Sequence, residues 1–188
     1  MGRFLLMCLW LFSLTAGAEE APDVSVRVVR PGVEVSSSIV LPIKPCEAYA
    51  MLTDYNGLPK FIPGLLSSRP RRIAKHRVNV MQVGAVQVFI FHVRMKSLLD
   101  MQEAPDKRIT FRQISGDFVS YGGEWNFSAK EDRTRIDYRA NMTFKRYVPL
   151  LLARSILEHD VKEKFAAIGR EALARKKHGL FHCVTEAQ

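Results

Sequence analysis

The sequence predicts an α+β fold: a seven-stranded antiparallel sheet wrapped around one long C-terminal helix, with two short helices after the first strand. Three observations predict it. Between residues 33 and 144, apolar and polar side chains alternate in segment after segment, which is the period of a half-buried strand. The connections between these segments are short, so neighbouring strands run antiparallel. After Pro149 the apolar residues recur at steps of three and four to about residue 177, the period of an amphipathic helix. A sheet with one apolar face must bury it, and one long helix laid across that face would do so.

The elements follow in order. Residues 33–41 put Val33, Val35, Ser37, Ile39 and Leu41 on one side of a first strand. Pro42 and Pro45 end it, and Pro45 suits the first turn of a helix over 46–53. Residues 54–64 (DYNGLPKFIPG) are rich in turn formers and leave room for one short helix around Leu58 to Ile62. Two strands over 66–76 and 77–83 are split by a turn near Lys75 or His76. Residues 85–99 read as one long strand, with Phe89, Phe91, Val93 and Met95 inward and His92, Arg94 and Lys96 outward. Over 107–115, Ile109, Phe111 and Gln113 face in; over 122–129, Trp125 and Phe127 share a face. Residues 134–144 alternate throughout, with Ile136, Tyr138, Ala140, Met142 and Phe144 inward.

In the helix over 149–177, Leu157, Val161, Phe165, Ile168 and Ala172 form the apolar stripe. Glu158, Lys162, Glu163 and Arg170 take the other side, and His159 and Asp160 read as part of that polar side, paired along the helix. Arg175, Lys176 and Lys177 stand in the last turn, where the helix dipole favours cations, and Gly179 ends the helix.

Outside this domain, residues 1–18 (MGRFLLMCLWLFSLTAGA) carry a basic tip at Arg3, a short apolar run and a small-x-small end, the pattern of a secretory signal peptide. Cleavage after Ala18 would send the protein out of the cytoplasm, with a bacterial periplasm as the expected destination. Residues 19–32 read as a leader and 178–188 as a C-terminal tail. Beyond the signal, Cys46 and Cys183 remain; the expectation is two unpaired thiols, because spacing alone does not supply the geometry of a bridge.

Composition excludes several classes. Apolar residues make up 47% and charged residues 25%, so disordered and low-complexity chains are out. There is no Gly-x-Ser-x-Gly, Gly-x-Gly-x-x-Gly, P-loop or Cys-x-x-Cys pattern, and no catalytic residue or cofactor is expected. His178, His182 and Cys183 have a spacing that could hold a metal, but Gly179 breaks the helix between them and no metal site is expected. The net charge is +9, and Arg69, Arg71, Arg72, Lys75, Arg77, Arg94 and Lys96 occur without an acid among them. A positive face on an exported protein suits an anionic membrane surface or a solvated exterior. Export and the lack of a recognised motif argue against nucleic acid.

Four stretches carry a family resemblance. SIVLPIKPCEAYAMLTDYNGLPKFIPG (38–64) contains a Tyr-x-x-x-Pro-x-Phe-x-Pro run at Tyr55, Pro59, Phe61 and Pro63. ISGDF (114–118) precedes GGEWNFSA (122–129), with its Gly-x-Trp centre. TRIDYRANMTF (134–144) and the helix from Pro149 complete the set. Over about 33–177 the chain resembles the START-like (SRPBCC) superfamily of helix-grip proteins, which includes polyketide cyclases and lipid-transfer domains. Within it, the coenzyme-Q-binding branch is the most similar. The export signal and the tail after Gly179 depart from what that branch usually shows.

The resemblance implies a cavity between sheet and long helix that holds a hydrophobic small molecule or lipid. The inward residues suit such a wall: Phe61, Phe89, Phe91, Met95 and Phe111, then Trp125, Tyr138 and Met142, and from the helix Leu157, Val161 and Phe165. Gln113, with Gln87 and Ser37, is an inward polar residue that either fixes a ligand headgroup or bonds to backbone or water. Segment 55–64 and the long helix would gate the entrance. The other readings are an aromatase/cyclase or dehydratase, for which Tyr138 is the one inward ionisable group, and an interaction module with a solid core.

Overall fold

The computed structural model describes residues 21–88, 91–145, 150–181 and 183. The first eighteen residues, and with them the signal-peptide reading, lie outside that set. The fold is α+β and of the helix-grip kind. Strands β1 (Asp23–Val29) and β2 (Gly32–Leu41) lead into helix α1 (Pro45–Thr53) and one turn of 3-10 helix at Leu58–Lys60. Then come β3 (Leu65–Ala74), β4 (Arg77–Val88), β5 (Phe91–Ala104), β6 (Arg108–Gly116), β7 (Phe118–Lys130) and β8 (Arg133–Phe144). Helix α2 (Leu150–Lys177) closes the domain. All eight strands form one antiparallel sheet in the order β1-β2-β8-β7-β6-β5-β4-β3.

The sheet has eight strands where seven are expected. Residues 23–29, read as leader, form β1, and Val29 pairs with Gly32 so that Arg30 and Pro31 make a two-residue hairpin turn. Residues 85–99 are not one strand: β4 runs to Val88, β5 begins at Phe91, and the two pair antiparallel. The reversal between them falls inside an apolar run with no turn-forming residue to mark it. Past it, Val93 is 45% exposed rather than inward.

Local signals fix the helix ends. Pro45 is in the first turn of α1, and the Lys44 backbone N–H donates to the Glu47 carboxylate at 2.7 Å. Gly179 takes a left-handed conformation, with φ +61°, after α2. The Gly179 N–H then donates to the Lys176 carbonyl and the Leu180 N–H to the Arg175 carbonyl, satisfying two carbonyls of the last turn.

The described part of the tail is tied to the domain. Cys46, at the start of α1, is joined to Cys183 by a disulfide, and the partly buried Phe181 packs on the core. The expectation of unpaired thiols fails because the chain turn at Gly179 brings the tail back over α1, with the two Cα atoms 5.5 Å apart. The bridge also removes the Cys183 thiolate from any metal-binding reading; His182 lies outside the described residues.

The core lies between the sheet's inner face and the two helices. The stripe of α2 is in place: Val161, Phe165, Ile168 and Ala172 are buried and Leu157 is partly buried. The seven cations of the acid-free stretch are not all unpartnered. Arg77 donates to Asp100 through two nitrogens, at 2.7 and 2.9 Å, and Arg72 meets Glu103 at 3.3 Å. The acids come from β5, so the pairing appears only when the strands align.

Candidate functional site

A cavity of about 250 Å³ opens between the sheet and α2. Its floor comes from alternate residues of the strands, one face of a pleated sheet: Leu99 and Met101 of β5, Ile109 and Phe111 of β6, Trp125 of β7, Tyr138 and Met142 of β8. Its roof comes from Leu157, Val161, Phe165 and Ile168, one stripe of α2. Leu52, Tyr55, Leu58 and Ile62 close it on the α1 side.

The aromatic side chains are held by one another. Trp125 lies 4.4 Å from Tyr138 and 5.6 Å from Phe165, the latter nearly parallel, while Phe111 meets Tyr121 edge-on at 5.1 Å. Such pairs contribute ~0.5–1.5 kcal/mol beyond simple burial, so the rings line the space without needing to fill it. Gly123 makes room for this layer. A Cβ there would run into the Arg139 carbonyl and come within 2.9 Å of the Phe111 ring. The Gly-x-Trp centre thus leaves a gap for the Phe111 ring and, two residues on, supplies Trp125, which packs on Tyr138 and Phe165.

Eight of the expected wall residues meet at this cavity: Met95, Phe111, Trp125, Tyr138 and Met142 from the sheet, and Leu157, Val161 and Phe165 from α2. The others do not. Phe61 packs against the core outside the cavity, with the Arg175 guanidinium 5.6 Å above its ring. That contact holds it at the end of the 3-10 turn, under the C-terminal part of α2. Gln113 is used up structurally: its amide donates to the Phe118 carbonyl and accepts from Ser97 Oγ, both at 3.0 Å. Gln87 is exposed, and Ser37 is buried but lies outside the cavity wall. Phe89 and the side chain of Phe91 lie outside the described residues.

The polar groups of the cavity were mostly not anticipated. Tyr138 does have a partner: its hydroxyl lies 3.4 Å from that of Tyr121. Burial pushes both phenols above their ordinary range, and the nearby Asp160 carboxylate adds to the rise. Both therefore stay neutral and keep their protons at physiological pH. Asp160 itself accepts from Lys164 at 2.6 Å, and both line the cavity. Asp160 is not on the solvent side of α2. It falls three residues after Leu157 and four before Lys164, on the flank of the apolar stripe, and this spacing was available in the sequence. His159 does lie outside, 3.4 Å from Glu163.

Tyr55 is a third phenol of the wall. It donates to Glu103 at 2.9 Å, and desolvation followed by the Glu103 charge pushes its pKa far up. The bond fastens the segment after α1 to β5. No group of three or more metal-ligating side chains occurs among the described residues.

The sequence that builds this fold matches a known family. A family model described as polyketide cyclase / dehydrase and lipid transport covers residues 41–167, well over half of the chain. The chain belongs to this family. Solved structures agree on the fold. The STAR-related lipid transfer protein of Xanthomonas axonopodis is 15% identical, with a TM-score of 0.68 over 82% of this chain and 94% of that one. The Zhui aromatase/cyclase of a Streptomyces species is 13% identical, with a TM-score of 0.65 over 76% and 94%. A START superfamily protein of Mycobacterium smegmatis is 12% identical, with a TM-score of 0.62 over 75% and 97%. No curated protein sequence matches the chain.

Proposed function

We propose that this family member is a binding and transfer protein for a hydrophobic small molecule or lipid of the quinone, isoprenoid or polyketide kind. One observation carries the reading: a 250 Å³ cavity walled by aromatic, Met and aliphatic side chains, whose phenols are neutral and whose one carboxylate is paired. Removing an apolar molecule from water here would contribute ~25 cal/mol per Å² buried. The volume lies just under the ~300–1,000 Å³ of common ligand sites, which favours a ring system or one end of a longer chain.

The protein works, on this reading, outside the cytoplasm. The signal-like first eighteen residues support export, and a disulfide between distant parts of the chain fits an oxidising compartment. The exposed Arg69, Arg71, Arg94 and Lys96 would meet the headgroups of an anionic membrane during transfer.

Native mass spectrometry of the exported protein, purified without detergent, tests the proposal. An apolar adduct released on denaturation is expected, and Leu157→Trp, which fills the roof of the cavity, should abolish it while the fold survives. An adduct retained by a folded Leu157→Trp protein would contradict the site. The cyclase reading has one observation behind it, the Asp160–Lys164 pair at the cavity wall. Ring closure of a polyketone substrate by the wild type, lost in Asp160→Asn, would favour it instead.

A further inference from the structure

The cavity holds one feature that simple apolar burial does not require. Two phenol hydroxyls meet 3.4 Å apart beneath a ring layer made by Phe111, Phe118, Trp125 and Phe165. A pair of phenylalanines would pack as well and carry no desolvation cost. Two hydroxyls bring two O–H donors. One can bridge the pair. The other has no acceptor among the described residues, since neither phenol has a second hydrogen bond. An unmatched buried donor costs ~1–3 kcal/mol, and a ligand atom that accepts the proton removes that cost.

The charge beside the pair narrows the ligand further. The Asp160 carboxylate acts on both phenols, and its one hydrogen-bonded cation, Lys164, is already engaged. A second negative charge at the hydroxyls would meet Asp160 with no unpaired cation among the described residues of the wall. A neutral oxygen would not.

We infer that the Tyr121–Tyr138 pair reads a single uncharged oxygen acceptor, so that the cargo is a neutral ring compound or lipid with a ketone, quinone or ester carbonyl and not a fatty-acid carboxylate. The inference rests on the carrier reading above and specifies its cargo. It also explains why two phenols stand where one would donate: one hydroxyl donates to the other, which keeps its own proton for the ligand.

Three probes of one bicyclic shape test it: α-tetralone, tetralin and tetralin carboxylate. Each displaces the neutral fluorophore N-phenylnaphthylamine from the protein. In Tyr121→Phe/Tyr138→Phe, α-tetralone should lose roughly three- to tenfold in affinity, the worth of one hydrogen bond, while tetralin changes by less than about twofold. Either single replacement should cost less than the pair, because the remaining hydroxyl is freed to donate. In the wild type the carboxylate should bind more weakly than α-tetralone. Equal effects on ketone and hydrocarbon, or tighter carboxylate binding, would overturn the inference and leave the carrier reading standing. Failure of both neutral probes to bind the wild type would overturn both. An infrared spectrum of α-tetralone on the wild type needs no variant: the carbonyl stretch should fall below its value in hexane, and an unshifted band counts against the pair.

Discussion

The two ends of the sheet face the helices in opposite ways. Next to α1 the interior is solid: Leu41, Ile43, Met51, Ile136 and Ala172 are each no more than 2% exposed. These are branched, straight or small aliphatic side chains, and they interlock. Under the middle of α2 the interior is hollow, and its wall is rich in aromatic rings. The rings there lie against each other, as Trp125 does on Phe165 and Tyr138, so each is supported from the side rather than from the middle. One sheet thus carries a stability core and a binding cavity, and side-chain shape separates them.

The sharpest way to break this division is at the covalent clamp of the solid end. The Cys46–Cys183 bridge spans 137 residues and holds the tail, with Phe181, against α1. Replacing both cysteines by serine should cost about 5 kcal/mol on a chain-entropy basis. Urea unfolding measures it. A cost under about 1 kcal/mol would mean that the solid end needs no clamp.

A pair of truncations compares the two ends directly. Ile136→Ala removes a side chain that is 0% exposed in the packed end and should cost about 3 kcal/mol. Met95→Ala trims a partly buried side chain that already borders empty space and should cost less than about 1 kcal/mol. Met95→Ala should instead enlarge the ligand range, which probe binding would register. Equal costs in urea would erase the distinction between core and cavity.

This division was only partly legible in the sequence. The strand period and the α2 stripe located both ends, because alternation and steps of three and four report burial. They do not report whether buried residues fill a space or surround one. That is why Phe61 and Phe111 look alike in sequence, although Arg175 holds Phe61 outside the cavity and Gly123 seats Phe111 in its wall. Gln113 of β6 reads as equally free to bind a ligand until its neighbours β5 and β7 bring Ser97 and the Phe118 carbonyl to it. β1 was hidden by its flanking prolines, and the β4–β5 reversal by its apolar sequence. The Tyr121 partner of Tyr138 needed strand register, since the two residues meet across β7 and β8. Asp160 was readable from helical spacing; its charge alone placed it with solvent.

The hollow end must be fastened some other way, and its strands are joined by charge. Asp100 of β5 takes both nitrogens of the Arg77 fork on β4, and these two strands also supply Val86, Leu99 and Met101 to the cavity. The hydrogen bonds from Arg77 hold the Asp100 carboxyl below its ordinary pKa, against the opposing effect of desolvation. A depressed folded pKa contributes stability that is complete above the unfolded value, roughly 3.9, and is lost as pH falls through the folded one. Asp100→Asn should therefore destabilise by about 1 kcal/mol at pH 7, a modest figure because Arg77 is half exposed to solvent. The gap from the wild type should shrink below about pH 4 and close at lower pH, where the wild-type carboxyl is protonated too. Urea titrations across that range give the test. A gap that stays constant with pH would show that Asp100 acts through packing rather than charge, and that the strands of the cavity wall are joined by shape instead.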